Sequence, residues 1–390
     1  MHVLLAHNDY GSFSGEEAAV ENVAAALVAN GHRVSWLRKS SAGIGTSAVH
    51  KAHAFFSGIY SVSARGEMTR LLDTGDIDVV QVQNLYPFLS ASILPVCRAR
   101  RVPVVMRCPN YRLFCPSGLH LRDGRICEDC LHGAREWHCV AHNCEGDVFK
   151  SLGYAARNAF GRLSGMIRDN VTVFVVLSEF QKRRFVAAGI PEERIEILPN
   201  TARVPSGGSM VSEGSYIGFV GRVSEEKGIR EMLEAARRLP EITFRVAGGA
   251  ESMPGIQAEA PANVEFTGFL SGAALDAFYE ETRILVSPSK WFEGFPNTIA
   301  QAMAHGKPVV GTRIGAVPEI VDDGVTGLLA APGDPVDLAD KIRYLWSRPE
   351  LCREMGQAGR DKARTAYSQE RFYERLMEIY AKAIELAGRR

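Results

Sequence analysis

The stretch WFEGFPNTIAQAMAHGKPVVGT, residues 291–312, reads as loop, helix, turn and strand. Pro296 suits the first helical position, Thr298 to His305 form a short helix, and Gly306 with Pro308 ends it before Val309 and Val310. A helix that starts directly after a carboxylate and a glycine aims its unsatisfied N–H groups, and the positive end of its dipole, at whatever lies in front of it. That is a place for an anion. Glu293 stands at its mouth, and Thr298, Gln301 and His305 share one helical stripe opposite Ile299, Ala302 and Met303.

Working outward, GRVSEEKG (221–228) follows the strand YIGFVG (216–221) and sets Arg222 and Lys227 five residues apart beyond its end. A diphosphate leaving group needs fixed positive charge as its bond breaks, which these two side chains could supply. Arg222 could equally pair with Glu225 or Glu226 at the surface. On the other side, GAVPEIVDDGVTGLLA (315–330) carries Glu319 at a helix start, a place where a ligand contact and a dipole interaction both suit a carboxylate.

From Pro288 to Gly311 the chain resembles the glycine-flanked E-x7-E signature of the retaining nucleotide-sugar glycosyltransferases of family four, and GRVSEEKG resembles their phosphate loop. The resemblance implies the GT-B fold: α/β, with two Rossmann-like parallel-sheet domains facing across a cleft. It implies transfer of a sugar from a nucleoside-diphosphate-sugar donor to an acceptor hydroxyl, a saccharide or lipid-linked glycan of polysaccharide biosynthesis, with Glu293, Arg222 and Lys227 as the catalytic group. The donor-binding set it implies is Gly15, Arg222, Lys227, Glu293, Phe295, Asn297 and Gln301, and no metal or other cofactor is expected for the transfer itself. Gln301 stands where the family has its second glutamate and accepts only through an amide oxygen. Gln83 and Pro109 stand where relatives often carry histidine. Two other readings stay open: an epimerase or phosphorylase of the same architecture, and a nucleotide-sugar-binding homologue without activity.

Both halves of the chain start as βαβ units. In the first, HVLLA (2–6) is followed by a loop with Gly11 and Gly15, a helix from Glu16 to Asn30 and strands near 33–37, 78–82, 102–106, 173–177 and 195–198. The polar, glycine-containing segment 201–214 reads as a linker. Beyond it, strands are expected at 216–221, 242–247, 264–267, 284–287, 309–311 and 327–330. The division is therefore 1–200 for the N-terminal, acceptor-side domain, 215–370 for the C-terminal, donor-side domain, and 371–390 for a last helix that the resemblance carries back onto the first domain.

Inside the first domain the insert 108–147 holds Cys115, Cys127, Cys130, Cys139 and Cys144, with His120, His132, His138 and His142 among them. In a reducing compartment one C-x2-C pair with outlying cysteines favours a closed tetrahedral zinc site, for which the chosen ligands are Cys115, Cys127, Cys130 and Cys144. The alternative is a loop of reduced thiols, or a pair that oxidises. After the insert, residues 150–170 place Leu152, Ala156, Phe160, Leu163 and Ile167 on one helical face, which is expected to pack on its own domain. A basic amphipathic surface lying on an anionic bilayer is the other reading.

Composition bounds these readings. The 390 residues suffice for two cores, and 45 basic against 45 acidic side chains leave no excess with which to attract nucleic acid. The N-terminal MHVLLAHND has neither a charged leader nor a long apolar run, so a cytoplasmic protein, peripheral to the membrane at most, is expected.

Overall fold

Short runs of Val, Ile, Leu and Phe, buried on both faces, form the inner strands, as parallel sheets covered by helices require, while edge strands such as Arg33–Ser40 and Val264–Gly268 are more exposed. The computed structural model describes residues 1–10, 15–43, 48–204 and 213–388. The Gly11 loop, most of the linker 201–214 and the last two residues of 371–390 lie outside the described residues.

The first domain contains β1 (His2–Asp9), β2 (Arg33–Ser40), β3 (Val79–Asn84), β4 (Val104–Arg107), the two-residue hairpin strands β5 (Leu121–Arg122) and β6 (Arg125–Ile126), β7 (Val173–Val176) and β8 (Ile195–Ile197). All but the hairpin join one parallel sheet in the order β2-β1-β3-β4-β7-β8. The second domain contains β9 (Tyr216–Val220), β10 (Phe244–Ala247), β11 (Val264–Gly268), β12 (Thr282–Ser287), β13 (Val309–Thr312) and β14 (Gly327–Ala330), parallel in the order β11-β10-β9-β12-β13-β14. The expected pair of parallel-sheet α/β domains is present. In each sheet the order reverses once, between β1 and β3 and between β9 and β12, and the loops at the carboxyl ends of those strands border a crevice.

Strand alternation sorts each core into two layers. Val3, Leu5, Val79 and Val105 face Val20, Val23 and Leu27 of the helix Gly15–Ala29 on one side of the first sheet, together with Phe372, Leu376, Ile379 and Tyr380. Those last four belong to the final helix, Gln369–Gly388, which leaves the second domain and covers the first. Leu4, Ala6, Val80 and Val82 face the other layer, with Ala64 and Met68 of the helix Val62–Leu72. That helix and its neighbour Ala48–Ile59 are not among the elements expected from the sequence.

The helix after the insert, Val148–Leu163, differs from the expectation in its rotation. Its buried residues are Ser151, Ala155, Arg157, Asn158 and Gly161, while Phe149 is 82% exposed, Leu163 75% and Leu152 46%. Polar partners turn it this way. Asn158 Nδ2 donates to the Arg112 carbonyl at 2.8 Å, Arg157 stacks 4.1 Å from the Tyr86 ring, and Ser151 Oγ donates to Asn143 Oδ1 at 3.1 Å. An unsatisfied buried carbonyl costs about 1–3 kcal/mol, the same order as burying one leucine gains, so several such polar contacts together offset the exposed apolar stripe. No helix among the described residues is long and apolar enough to cross a membrane.

Candidate functional site

Two loops leave the strands that flank the second sheet's switch point. The loop after β9 carries Arg222 and Lys227, and the loop after β12 carries Glu293. They are stitched together by the Lys290 N–H, which donates to the Glu226 carbonyl at 2.8 Å. Gly228, at φ +74°, passes so close to Pro288 that a Cβ would sit 1.9 Å from its carbonyl oxygen, so only glycine fits. Glu293 is 4% exposed, and its Oε1 accepts from Lys227 Nζ at 2.6 Å and from Ser289 Oγ at 2.7 Å. Its backbone is held as well, since the Ala316 N–H donates to its carbonyl at 2.9 Å. Such a buried carboxylate persists because it is paired and hydrogen-bonded. Arg222 stays outside this cluster: its side chain is 69% exposed and lies 3.2 Å from Glu226, the surface pairing weighed from the sequence.

The helix of the decisive stretch spans Asn297–Ala304, with Pro296 at its N-cap rather than one position inside. Asn297 Oδ1 accepts from Asn200 Nδ2 at 2.7 Å. Gln301 uses both ends of its amide on Arg203 of the linker: Oε1 accepts from the Arg203 N–H at 3.2 Å, and Nε2 donates to the Arg203 carbonyl at 2.9 Å. Across from them, Gly15 opens the first helix of the other domain, and a Cβ there would lie 3.9 Å from Asn297 Nδ2. Gly15, Arg107, Asn200, Asn297, Thr298 and Gln301 all line an inter-domain cavity of about 370 Å³, within the size of small-molecule sites. Phe295 does not line it; its ring packs edge-on against Tyr367, 5.2 Å away, in an apolar core with Ile299 and Met303. The residues singled out in the sequence thus fall into three places: Gly15, Asn297 and Gln301 at the cavity, Lys227 and Glu293 in a buried pair, and Arg222 and Phe295 apart from both.

The seam between the domains brings in residues that the sequence did not single out for it. Glu319 accepts from the backbone N–H groups of Glu179 at 2.8 Å and Phe180 at 2.5 Å, so it caps the helix Glu179–Ala187 of the opposite domain. His120 is 1% exposed and sits among Tyr111, Phe114 and Phe292, the last contributed by the second domain. Its Nδ1 donates to the Cys127 carbonyl at 2.9 Å, burial lowers its pKa, and Nε2 is buried without a partner. Gln83 of β3, beside the first sheet's switch point, is also buried with both ends of its amide lacking a hydrogen-bond partner, and His7 of β1 is buried with Nε2 3.4 Å from the Asp9 carboxylate and Nδ1 lacking a hydrogen-bond partner. Nearby, Tyr10 donates to Glu16 at 2.7 Å and accepts from Arg112 at 2.6 Å, and Asn110 donates to Glu16 at 2.8 Å. Pro109 directly precedes Asn110 in the chain, and the members of this network meet through tertiary contact alone.

Five of the six cysteines of the insert converge, Cys108 standing apart. Cys115, Cys127, Cys130, Cys139 and Cys144 line one small cavity together with His138 and His142. The Cys130 thiol is pushed up to about 12 by burial and then by its neighbours Cys115, Cys139, Cys144 and Cys127.

Comparison with known proteins adds what geometry alone does not name. Residues 14–201 match the family described as glycosyl transferase 4-like domain, and residues 214–348 match glycosyl transferases group 1. The chain is 29% identical over 184 residues to the alpha-maltose-1-phosphate synthase of Mycolicibacterium smegmatis, covering 43% of this chain and 47% of that protein. It is 30% identical over 192 residues to the GDP-mannose-dependent alpha-mannosyltransferase of Corynebacterium glutamicum, covering 47% of this chain and 43% of the relative. The chain thus spans about half the length of the curated relatives it matches. Among solved structures, a glycosyltransferase from Rickettsia africae superposes with a TM-score of 0.71 at 16% identity, covering 98% of each chain. The Anabaena protein HepE, solved with UDP and glucose, superposes with a TM-score of 0.67 at 16% identity over 97% of this chain and 98% of that one.

Proposed function

Because the chain belongs to the group 1 glycosyltransferases with a 4-like N-terminal domain, we propose that it transfers a sugar from a nucleoside-diphosphate-sugar to an acceptor hydroxyl, with retention of anomeric configuration. The observation that carries this reading is the inter-domain cavity, onto which the helix Asn297–Ala304 turns its first residues. Free N–H groups at a helix start bind anionic oxygen well. Lys227 and Glu293, in the loops that leave the same switch point, supply a cation for the departing diphosphate and a carboxylate for sugar hydroxyls. In this reading the donor separates a pair that now neutralises itself: phosphate takes Lys227 and the sugar takes Glu293. The acceptor hydroxyl attacks from the face the diphosphate leaves, and the departing phosphate oxygen takes its proton. The exposed Arg222 side chain swings in from the surface to complete the phosphate contacts.

The acceptor side belongs to the first domain. The Gln83 amide and His7 Nδ1, which lack hydrogen-bond partners, and the Tyr10–Glu16–Arg112 network, supply hydrogen bonds to a saccharide. The exposed Phe149, Leu152 and Leu163 favour an acceptor carried on a lipid, with the chain peripheral to a membrane surface.

A thermal-shift panel of UDP-, GDP- and ADP-sugars tests the donor class, since a ligand that binds only the folded state raises its melting temperature. One donor is expected to raise the Tm, and no response to any of them removes the proposal. With that donor, the anomeric coupling constant of the product by NMR tests retention.

A further inference from the structure

The insert 108–147 has little regular structure to hold it: two two-residue strands and a five-residue helix, Trp137–Ala141. It is also bent against preference. Of the non-glycine residues at positive φ among those described, His120, Asp123, Ala134 and Asn143 fall within it. Each such residue costs free energy and persists only where its surroundings over-determine it. Hydrophobic packing supplies that constraint for one side of the insert, through Tyr111, Phe114 and Leu131, while the turns that carry Cys127, Cys130, Cys139 and Cys144 bring mainly thiols to their shared interior. Five sulfurs from separate turns of the loop meet at one cavity of about 10 Å³, a volume of the order of one water or one ion.

We propose that this cavity is a structural zinc site, in which Cys130 and three of Cys115, Cys127, Cys139 and Cys144 bind a single ion tetrahedrally. Cys130 is buried and shares the cavity wall with all four others. Thiolate sulfur suits zinc, four protein ligands make a closed site, and each thiol that binds gives its proton to solvent. The room available favours one ion over a polynuclear cluster. Ligand atoms lie within 4.8 Å of one another in threes, among the described residues, at Asp129–His138–His142 and at His7–Asp9–Glu17. The thiols taken in threes stand farther apart, so the loop draws inward as the shell forms. Sulfur nevertheless outnumbers imidazole five to two on the cavity wall. The site reaches the seam through one bond. The carbonyl of Cys127 is the acceptor that orients His120 against Phe292 of the other domain, so the ion fixes the wall of the cleft as well as the insert.

The test uses the full chain purified without added metal and passed over a chelating resin. Elemental analysis is expected to find about one zinc per chain, released by a thiol-binding mercurial. Exchange with cobalt is expected to give intense thiolate-to-cobalt charge-transfer absorption, a readout that needs no variant and therefore does not depend on any variant folding. Cys130→Ser should lose the ion, and the double variant His138→Ala/His142→Ala should keep it. A metal-free chain with all eight cysteines titrating as free thiols overturns the proposal. So does a disulfide among the five, or retention of metal in Cys130→Ser with loss in the histidine variant. None of these outcomes depends on whether a nucleotide sugar binds.

Discussion

Gln301 shows how much one atom decides. An amide both gives and takes, so it can hold the N–H and the carbonyl of Arg203 together, whereas the glutamate of the family pattern could only accept. Gln301→Glu is therefore expected to lower stability by about 1 kcal/mol through the lost donor, measured by urea unfolding; an increase would show that the linker contact is not what the amide is for. Lys227→Ala leaves the Glu293 carboxylate buried with Ser289 alone, and should cost about 1–3 kcal/mol of stability. It should also slow turnover about 100-fold or more, by analogy with lost oxyanion donors. The double variant Lys227→Ala/Glu293→Gln should recover part of the stability and none of the turnover, which separates the two effects. Sequence reading reached Lys227 and Glu293 but not that they neutralise each other, because residues 66 positions apart in the chain meet only through the order of the strands.

At the scale of elements, the decisive stretch was legible because glycine and proline punctuate it, and because each strand on either side is a short apolar run. The helix Val148–Leu163 was not, since its rotation is set by Asn158 and Arg157 donating to carbonyls of the insert and Ser151 accepting from the Glu145 N–H. Periodicity of apolar residues records a preference for burial, and cannot record where polar donors are needed more. Its outward row makes a prediction: Phe149→Asp should change unfolding stability by no more than about 0.5 kcal/mol and abolish sedimentation with anionic vesicles. Equal sedimentation of variant and wild type would remove the membrane contact. The turn that closes the helix Asn297–Ala304 makes another. Lys307 is 1% exposed, donates to the Glu280 carbonyl at 2.7 Å, and burial lowers its pKa to about 8. The unfolded chain therefore binds the extra proton between about pH 8 and 10.4. Ionised Lys307 disfavours the fold below that window, so the stability of wild type relative to Lys307→Met should rise across it, as read by denaturant unfolding at each pH.

For the molecule as a whole, the two sheets and the crevice between them followed from two βαβ beginnings and a linker. What the sequence did not disclose is how the lobes hold each other. Glu319 spends its carboxylate on the start of a helix in the opposite domain, and Glu319→Ala is expected to cost about 1 kcal/mol as a lost cap. Its distinctive signature is an increased radius of gyration by small-angle scattering in solution; unchanged dimensions would show that the cap does not hold the lobes together. The same logic applies to the strap that joins them. Asn297 and Gln301 already grip Asn200 and Arg203, so a guest entering the cavity finds its hosts engaged. The affinity measured for that guest is then a balance of exchange, contacts made less contacts surrendered, and loosening the strap should sharpen binding while leaving every wall of the cavity where it stands.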